Sequence, residues 1–179
     1  PILSLSTDHY VRVWIETKAS KSGGNRDAQQ MGFVRYCSHC MAWDMIPVLN
    51  LKQSSDFKHI KSGCPDNVDI AGPLWIGPIQ NPSFVTRTTE TLEEHENSMS
   101  RKSKLMLNLI KEEAPIQEFY LDLHQMCDIY SWPPPKQNDV ITDLKEMGYQ
   151  CVRSHFKPTA IRTNATVEEV TRVVESIVG

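Results

Sequence analysis

Two cysteines separated by two residues form the clearest candidate for chemistry in this sequence. Cys37 and Cys40 stand between segments that are typical of β-strands. A turn of this kind can present two thiolates to one zinc ion, at about 2.3 Å each. Cys64 is the candidate for a third ligand and His59 for a fourth, because tetrahedral zinc accepts mixed cysteine and histidine sets. The sequence therefore predicts a zinc site made of these four residues.

Two other interpretations of the cysteine pair stay open. Strong zinc signatures contain two close ligand pairs, and Cys64 has no cysteine next to it, so the pair could also consist of free thiols. A redox-active pair belongs at a helix N-terminus, which disfavours that function for a pair between strands. The total of five cysteines is odd and sparse, which favours reduced thiols in an intracellular protein over a disulfide scaffold.

A second concentration of useful side chains lies in residues 149–163. It interleaves cationic and aromatic residues, namely Arg153, His155, Lys157 and Arg162 with Tyr149 and Phe156. Cations can pair with phosphates and aromatic rings can stack on bases, so this segment predicts contact with RNA. The alternative is an ordinary solvated hairpin.

Composition and motifs limit the remaining function classes. The net charge of −3 gives no overall attraction to polyanions, so any RNA contact must come from local clusters of Lys and Arg. No glycine-rich nucleotide loop, nucleophile elbow or zinc-protease motif is present, and no apolar run is long enough for a membrane span. The chain starts at Pro1 without a signal peptide, and we expect it to be a piece of a longer soluble protein.

The first part of the chain must position the cysteine pair, and its pattern indicates strands. From Tyr10 to Glu16 apolar and polar residues alternate, as in a half-buried strand. Further strands are predicted at residues 33–37 and 42–48, which gives an antiparallel sheet with the Cys-x-x-Cys turn between them. Residues 18–30 are polar and predict a loop. Two Gly-Pro steps in residues 71–78 predict turns at both ends of a short apolar piece.

The second part of the chain has helical periodicity. Helices are predicted at residues 82–94, 101–113, 121–130 and 140–147, followed by a hairpin of residues 149–155 and 159–163 and by a last helix with capping-box spacing at Thr166 and Glu169. The expected fold class is α+β, an antiparallel sheet with a Cys-x-x-Cys turn followed by a helical, winged-helix-like part. The expected division is a β-rich subdomain of residues 1–80 and a helical subdomain of residues 81–179.

Several spaced motifs resemble one known family. Residues 1–6, 8–13, 37–40, 72–78, 148–149 and 154–163 occur in the order found in the tRNA (guanine(26)-N2)-dimethyltransferase family. The resemblance implies an upstream Rossmann-like catalytic domain that binds S-adenosylmethionine. It also implies that this chain is non-catalytic and holds tRNA beside that domain. It further implies a nuclear location, with cytoplasm or mitochondrion as alternatives.

The resemblance also implies roles for individual residues. It implies RNA contact for Arg12, His155, Lys157, Arg162 and Thr163, in addition to Arg153 from the hairpin pattern. The family commonly has a second cysteine pair before residues 72–78, whereas this chain has Lys61 at the first of those positions, which weakens the zinc prediction. Such departures leave room for a paralogue with a different target guanosine. A structural domain that only stabilises the catalytic half is the alternative function, with Leu74, Trp75 and Ile76 as its interdomain face.

Overall fold

The chain divides into two compact units that are not continuous in sequence. A computed structural model describes residues 1–7, 9–20, 23–53, 56–94 and 99–179. One unit is Thr17–Gly77, and the other combines Pro1–Glu16 with Pro78–Gly179. Both contain helices and antiparallel strands, so the predicted α+β class is confirmed. No helix among the described residues has the length and apolarity that crossing a membrane requires.

The unit Thr17–Gly77 is built on a three-stranded antiparallel sheet. β3 (Met31–Tyr36) lies between β4 (Trp43–Pro47) and β5 (Asp69–Trp75). Helix α1 (Gly23–Gln29) precedes the sheet, and a 3-10 helix (Val48–Gln53) follows β4. Tyr36 pairs with Trp43 on one side and with Asp69 on the other. The cysteine turn therefore follows directly from the end of the central strand.

Two sequence predictions for this unit were wrong. Residues 18–30 were expected to be a loop, but α1 occupies most of the segment. The Gly72-Pro73 step was expected to be a turn, but it lies inside β5, where Gly72 has a φ of +140°. A β-carbon on Gly72 would lie 2.8 Å from the carbonyl oxygen of Gly32, so the close approach of β3 and β5 requires glycine there.

The first two strands belong to the other unit. β1 (Leu3–Thr7) and β2 (Tyr10–Trp14) form an antiparallel hairpin, in which Leu3 pairs with Trp14. The predicted strand at Tyr10 therefore exists, but it is not part of the sheet that carries the cysteine turn. Every residue of β2 is exposed, which contradicts the expected half-buried strand.

β1 is attached to the helical part of the chain. The backbone N–H of Ser4 donates to the side chain of Gln80 at 3.1 Å, and the Gln80 amide donates back to the Ser4 carbonyl at 2.7 Å. Leu3 packs against Val85, Ile110 and Ala114. The expected boundary at residue 80 therefore differs from the observed division, because these contacts join the first residues of the chain to the helices.

The helical part has the element order of a winged helix. Its helices are α2 (Pro82–Glu93), α3 (Arg101–Glu113), α4 (Leu123–Tyr130), α5 (Gln137–Glu146) and α6 (Val167–Val178). Its strands are β6 (Tyr120–Asp122), β7 (Cys151–Arg153) and β8 (Ala160–Thr163), in the sheet order β6-β8-β7. From α3 onward the order is helix, strand, helix, helix, hairpin. This confirms the winged-helix-like arrangement, and the loop between β7 and β8 is its wing.

Side-chain caps explain where the helices begin. Asn81, Ser100 and Asp122 each accept a hydrogen bond from a backbone N–H in the first turn of α2, α3 and α4, respectively. Thr166 and Glu169 form the predicted capping box of α6. These polar side chains satisfy N–H groups that have no partner within the helix, which defines the first residue of these four helices.

A candidate metal centre and a candidate RNA-contacting hairpin

The Cys-x-x-Cys turn is shaped by two backbone hydrogen bonds. The N–H of Met41 donates to the carbonyl of Cys37 at 2.8 Å, and the N–H of Cys37 donates to the carbonyl of Ala42 at 2.9 Å. Met41 completes the turn with a φ of 60°, a conformation that non-glycine residues seldom adopt. Both Cys37 and Cys40 are buried.

The structure brings all four predicted zinc ligands together. The ligand atoms of Cys37, Cys40, His59 and Cys64 lie within 4.8 Å of one another. The Cys40 Sγ is 3.8 Å from the His59 Nδ1. A tetrahedral zinc ion with sulfur and nitrogen ligands holds its ligand atoms about 3.5 to 3.8 Å apart, given the usual bond lengths. The donor set therefore fits zinc in type, number and spacing, with one imidazole in place of a fourth thiolate.

The electrostatics of the cluster favour a bound cation. Burial acts to raise the pKa of Cys40, but hydrogen bonds from the backbone of Ile60 and Ala42 and from the side chains of His59 and Cys37 lower it to about 6. Burial and the neighbouring thiols of Cys40 and Cys37 raise the pKa of Cys64 to about 11. One thiolate therefore forms easily, and its charge disfavours the ionisation of a second thiol. A divalent cation removes this conflict, because it stabilises several thiolates at once.

Apolar and ionic contacts hold the segment that carries His59. The ring of Phe57 meets the His59 ring edge-on, with 5.0 Å between centroids. The guanidinium of Arg35 lies 5.4 Å from the centroid of the Phe57 ring and donates to Asp44 at 2.8 Å. Ile60 and Val68 pack against the buried cysteines. Strands β3 and β4 therefore orient the histidine through Phe57, in the manner of the outer-shell contacts of metal sites.

Three of the predicted RNA contacts remain on the surface. Arg12 is exposed on β2, with its guanidinium 4.8 Å from the centroid of the Tyr10 ring. Arg153 is exposed and donates to the Asn138 side chain at 2.8 Å. The Lys157 side chain is half-exposed on the wing and pairs with Asp122. Each of these side chains already has a partner, so contact with a phosphate requires the side chain to leave or share that partner.

The other three are buried, which corrects their prediction as surface contacts. His155 is 8% exposed, Arg162 2% and Thr163 1%. The ring Nδ1 of His155 lies 3.0 Å from both carboxylate oxygens of Glu113, and an Arg162 N–H donates to Glu113 at 3.4 Å. The Nε of Arg162 donates to the Glu118 carbonyl at 2.9 Å. The His155 ring and the Arg162 guanidinium therefore have a structural role, because both contact the buried carboxylate of Glu113.

The sequence-based predictions did not include two carboxylates that organise this region. Glu113 ends α3 and is fully buried, although a glutamate beside lysines on an amphipathic helix predicts a surface position. Asp122 caps α4 and also accepts hydrogen bonds from Lys157 and Thr159. The Asp122-Leu-His sequence before an apolar helix was a signal for a cap, whereas no local pattern indicates the burial of Glu113.

Comparison with known proteins assigns the chain to a family. The family model for N2,N2-dimethylguanosine tRNA methyltransferase matches residues 1–175. The tRNA (guanine(26)-N(2))-dimethyltransferase of Methanosarcina acetivorans is 32% identical over 182 residues, covering 100% of this chain and 45% of the relative. That of Methanobrevibacter smithii is 29% identical over 178 residues, covering 98% of this chain and 44% of the relative. The chain belongs to the N2,N2-dimethylguanosine tRNA methyltransferase family.

A solved structure has the same fold. Trm1 from Pyrococcus horikoshii, solved in complex with S-adenosyl-L-methionine, superposes with a TM-score of 0.73 at 22% identity. The match covers 96% of this chain and 42% of that protein. The chain thus spans less than half of the length of the relatives it matches.

Proposed function

We propose that this chain is the RNA-holding part of an S-adenosylmethionine-dependent tRNA guanine-N2 methyltransferase. The observation that carries the proposal is the match of the family model to residues 1–175, in a chain that covers only 44–45% of its relatives. Methyl transfer and the binding of S-adenosylmethionine are then the work of the remaining part of the longer protein. This chain contributes affinity for tRNA and presents the target guanine to that part.

The wing carries the RNA contacts in this proposal. Lys157 lies in the wing and pairs with Asp122, and Arg153 is the last residue of β7, directly before the wing. Beside them, the exposed Tyr120 ring stacks on Phe156 at 5.7 Å between centroids. Cations beside a stacked aromatic pair offer a phosphate contact together with a surface for an unpaired base, the combination by which proteins bind RNA.

The cysteine cluster supports the proposal as a structural element. Cys37, Cys40, His59 and Cys64 would hold zinc, which supplies stability to the small unit and no chemistry to the reaction. A closed set of four protein ligands is the arrangement of structural zinc sites, since catalytic sites leave one position to water or substrate. The metal would join β3 and β4 to the segment of residues 57–64, which contains no helix or strand.

Binding and kinetics of the full-length enzyme test the RNA role. Arg153→Ala combined with Lys157→Ala should weaken tRNA binding about tenfold at moderate salt and reduce the salt dependence by about one to two phosphate contacts. The KM for tRNA should rise while kcat at saturating tRNA stays unchanged. Arg172→Ala is the matched control, because Arg172 is an exposed, carboxylate-paired cation on α6. An equal effect of the control variant, or none of the double variant, would argue against the wing as the contact surface.

A stabilising role without RNA contact is the second candidate function. Its predicted interdomain face, Leu74 to Ile76, is half-buried within its own unit, so it offers little free surface. The β1–β2 hairpin is the stronger feature in favour of a contact with the rest of the protein. The wing variants above separate the two functions, because a purely stabilising domain would change thermal stability and leave the affinity for tRNA unchanged.

A further inference from the structure

Three aromatic rings form a continuous series beside the wing. The centroid of the His155 ring lies 4.0 Å from that of Phe156, and Phe156 stacks on Tyr120 at 5.7 Å with 21° between the ring planes. His155 is buried, Phe156 is half-buried and Tyr120 is 43% exposed. The series therefore leads from the interior to the surface and ends at the Tyr120 ring.

Buried polar contacts hold the inner end of this ring series. The Nδ1 of His155 lies 3.0 Å from both carboxylate oxygens of Glu113, and both side chains are inaccessible to solvent. At the outer end, Tyr120 pairs with Arg162 in the ladder between β6 and β8. The Tyr120 ring therefore has a defined position before a ligand arrives, which reduces the conformational entropy lost on binding.

A cation lies next to the exposed ring. Lys157 follows Phe156 directly, and its side chain is 50% exposed. Hydrogen bonding and charge from Asp122 raise the pKa of Lys157, and the Tyr120 phenol adds to this effect, so the ammonium lies close to both groups. Proteins that bind single-stranded nucleic acids combine stacking rings with cations, because the ring covers the face of a base while the cation pairs with a phosphate.

Tyr120 is the ring of the series that a further planar group can reach. Phe156 already contacts both other rings, and His155 is buried. The bases of an RNA stem are stacked on one another and present only their edges in the grooves, so an unpaired base offers its face to such a ring. One exposed ring beside an ammonium fits a nucleotide better than a protein interface, which buries about 800 Å² on each partner.

We propose that the Tyr120 ring stacks on an unpaired base of the tRNA, with Lys157 at an adjacent phosphate. The wing then selects a single-stranded nucleotide rather than the surface of a stem. This inference rests on the proposed RNA-holding function and deepens it, since it names the RNA element that is bound and the residue that contacts its base.

Titration of the full-length protein with tRNA at several salt concentrations tests the stacking. Tyr120→Leu keeps an apolar side chain and removes the ring, and Tyr120→Phe is the matched control that keeps the ring. We expect Tyr120→Leu to weaken tRNA binding about tenfold and Tyr120→Phe to stay within about twofold of the wild type. The salt dependence should not change, because a ring releases no counterions. Wild-type affinity of Tyr120→Leu, or an equal loss in both variants, overturns the stacked base.

The form of the RNA separates stacking from a general loss of affinity. Tyr120→Leu should weaken the binding of a single-stranded oligoadenylate about tenfold. It should leave the binding of a long duplex unchanged, because the bases of a duplex are stacked within the stem. An equal loss for both RNAs overturns the selection of unpaired nucleotides.

Photocrosslinking of the unmodified full-length protein covers the case in which Tyr120→Leu does not fold. An oligouridylate that contains iodouridine reacts on irradiation with an aromatic side chain stacked on the modified base. Peptide mapping should find the adduct in peptides that contain Tyr120. Adducts found only in other peptides overturn the proposal.

The double variant Arg153→Ala with Lys157→Ala keeps this inference distinct from the proposed function. Weaker tRNA binding in the double variant alone contradicts the stacked base and leaves the RNA-holding function in place. Weaker binding in Tyr120→Leu alone supports the stacked base and contradicts the phosphate contacts of the wing. Wild-type affinity of both variants contradicts the stacked base and the wing contacts together.

Discussion

Glu113 and His155 form a buried pair that joins the end of α3 to the start of the wing. The Glu113 carboxylate accepts hydrogen bonds from the His155 backbone N–H and lies 3.0 Å from its ring Nδ1, and neither side chain is accessible to solvent. The buried His155 Nε2 has no hydrogen-bond partner among the described residues, so the ring is held through its Nδ1. Because Arg162 contacts the same carboxylate, Glu113 neutralises the one permanent cation of the cluster.

Removal of the Glu113 charge should strongly destabilise the winged-helix-like part. Burial lowers the pKa of Arg162, and Glu113 opposes this effect. The charged form of the buried guanidinium is therefore stabilised by the Glu113 carboxylate. Glu113→Gln should cost about 3 to 5 kcal/mol of unfolding free energy, the usual effect of breaking a buried ion pair. Denaturant titration measures the loss. Glu168→Gln, which breaks the exposed pair with Arg172, should cost less than about 1 kcal/mol, and similar losses in both variants would contradict the role of Glu113.

Zinc content should depend on the cysteine cluster and on no other thiol. Protein purified without chelator should contain about one zinc per chain, and Cys64→Ser or His59→Ala should lose most of it, because structural sites need all four ligands. Cys127→Ser should keep the metal, since Cys127 is a buried thiol outside the cluster. Elemental analysis gives the ratio. Full zinc content in the Cys64 variant would show that the four residues do not form the site.

The stability contributed by Asp122 should disappear in acid. Burial acts to raise the pKa of Asp122, but hydrogen bonds from Lys157 and Thr159 outweigh it and lower the pKa below the ordinary value of 3.8. A carboxyl with a depressed pKa stabilises the fold above its unfolded pKa, and this contribution is lost as the pH falls through the folded value.

Asp122→Asn isolates this effect, because asparagine also caps helices well. The difference in unfolding free energy between the wild type and this variant should be constant at neutral pH and shrink as the pH falls below 3.8. Denaturant titrations at several pH values measure it. If the difference in unfolding free energy grew in acid, the proposed stabilisation by the ionised Asp122 would be contradicted.

The capping box of α6 should contribute measurably to stability. The Thr166 hydroxyl accepts the N–H of Glu169 at 3.2 Å, and the Glu169 carboxylate accepts the N–H of Thr166 at 2.7 Å. Thr166→Ala should cost about 1 kcal/mol, because the backbone N–H of Glu169 loses its side-chain acceptor. Thr142→Ala, at an exposed position within α5, should be neutral or slightly stabilising, since alanine favours helices. Thermal unfolding compares the two, and equal losses would argue against the capping box as the cause.

Local periodicity and capping determined much of the second half of the chain. The bounds of α3 and the capping box of α6 were predicted as observed, because apolar spacing and N-cap residues act within a few positions of one another. The pairing of Cys37 with Cys40 was equally local, since a two-residue spacing is enough to form the turn.

Tertiary structure alone decided which side chains meet over long sequence distances. His59 and Cys64 reach the cysteine turn only because residues 57–68 pack against the buried cysteines, and no local pattern encodes that packing. A strand containing Gly72-Pro73 was missed because proline and glycine disfavour strands unless a neighbouring backbone requires their shape. His155 and Arg162 were predicted as surface cations, since charge indicates solvent until a distant carboxylate such as Glu113 compensates for burial. Sequence therefore determined the elements and the nearest ligands, whereas long-range packing decided which polar groups are structural and which remain free to bind.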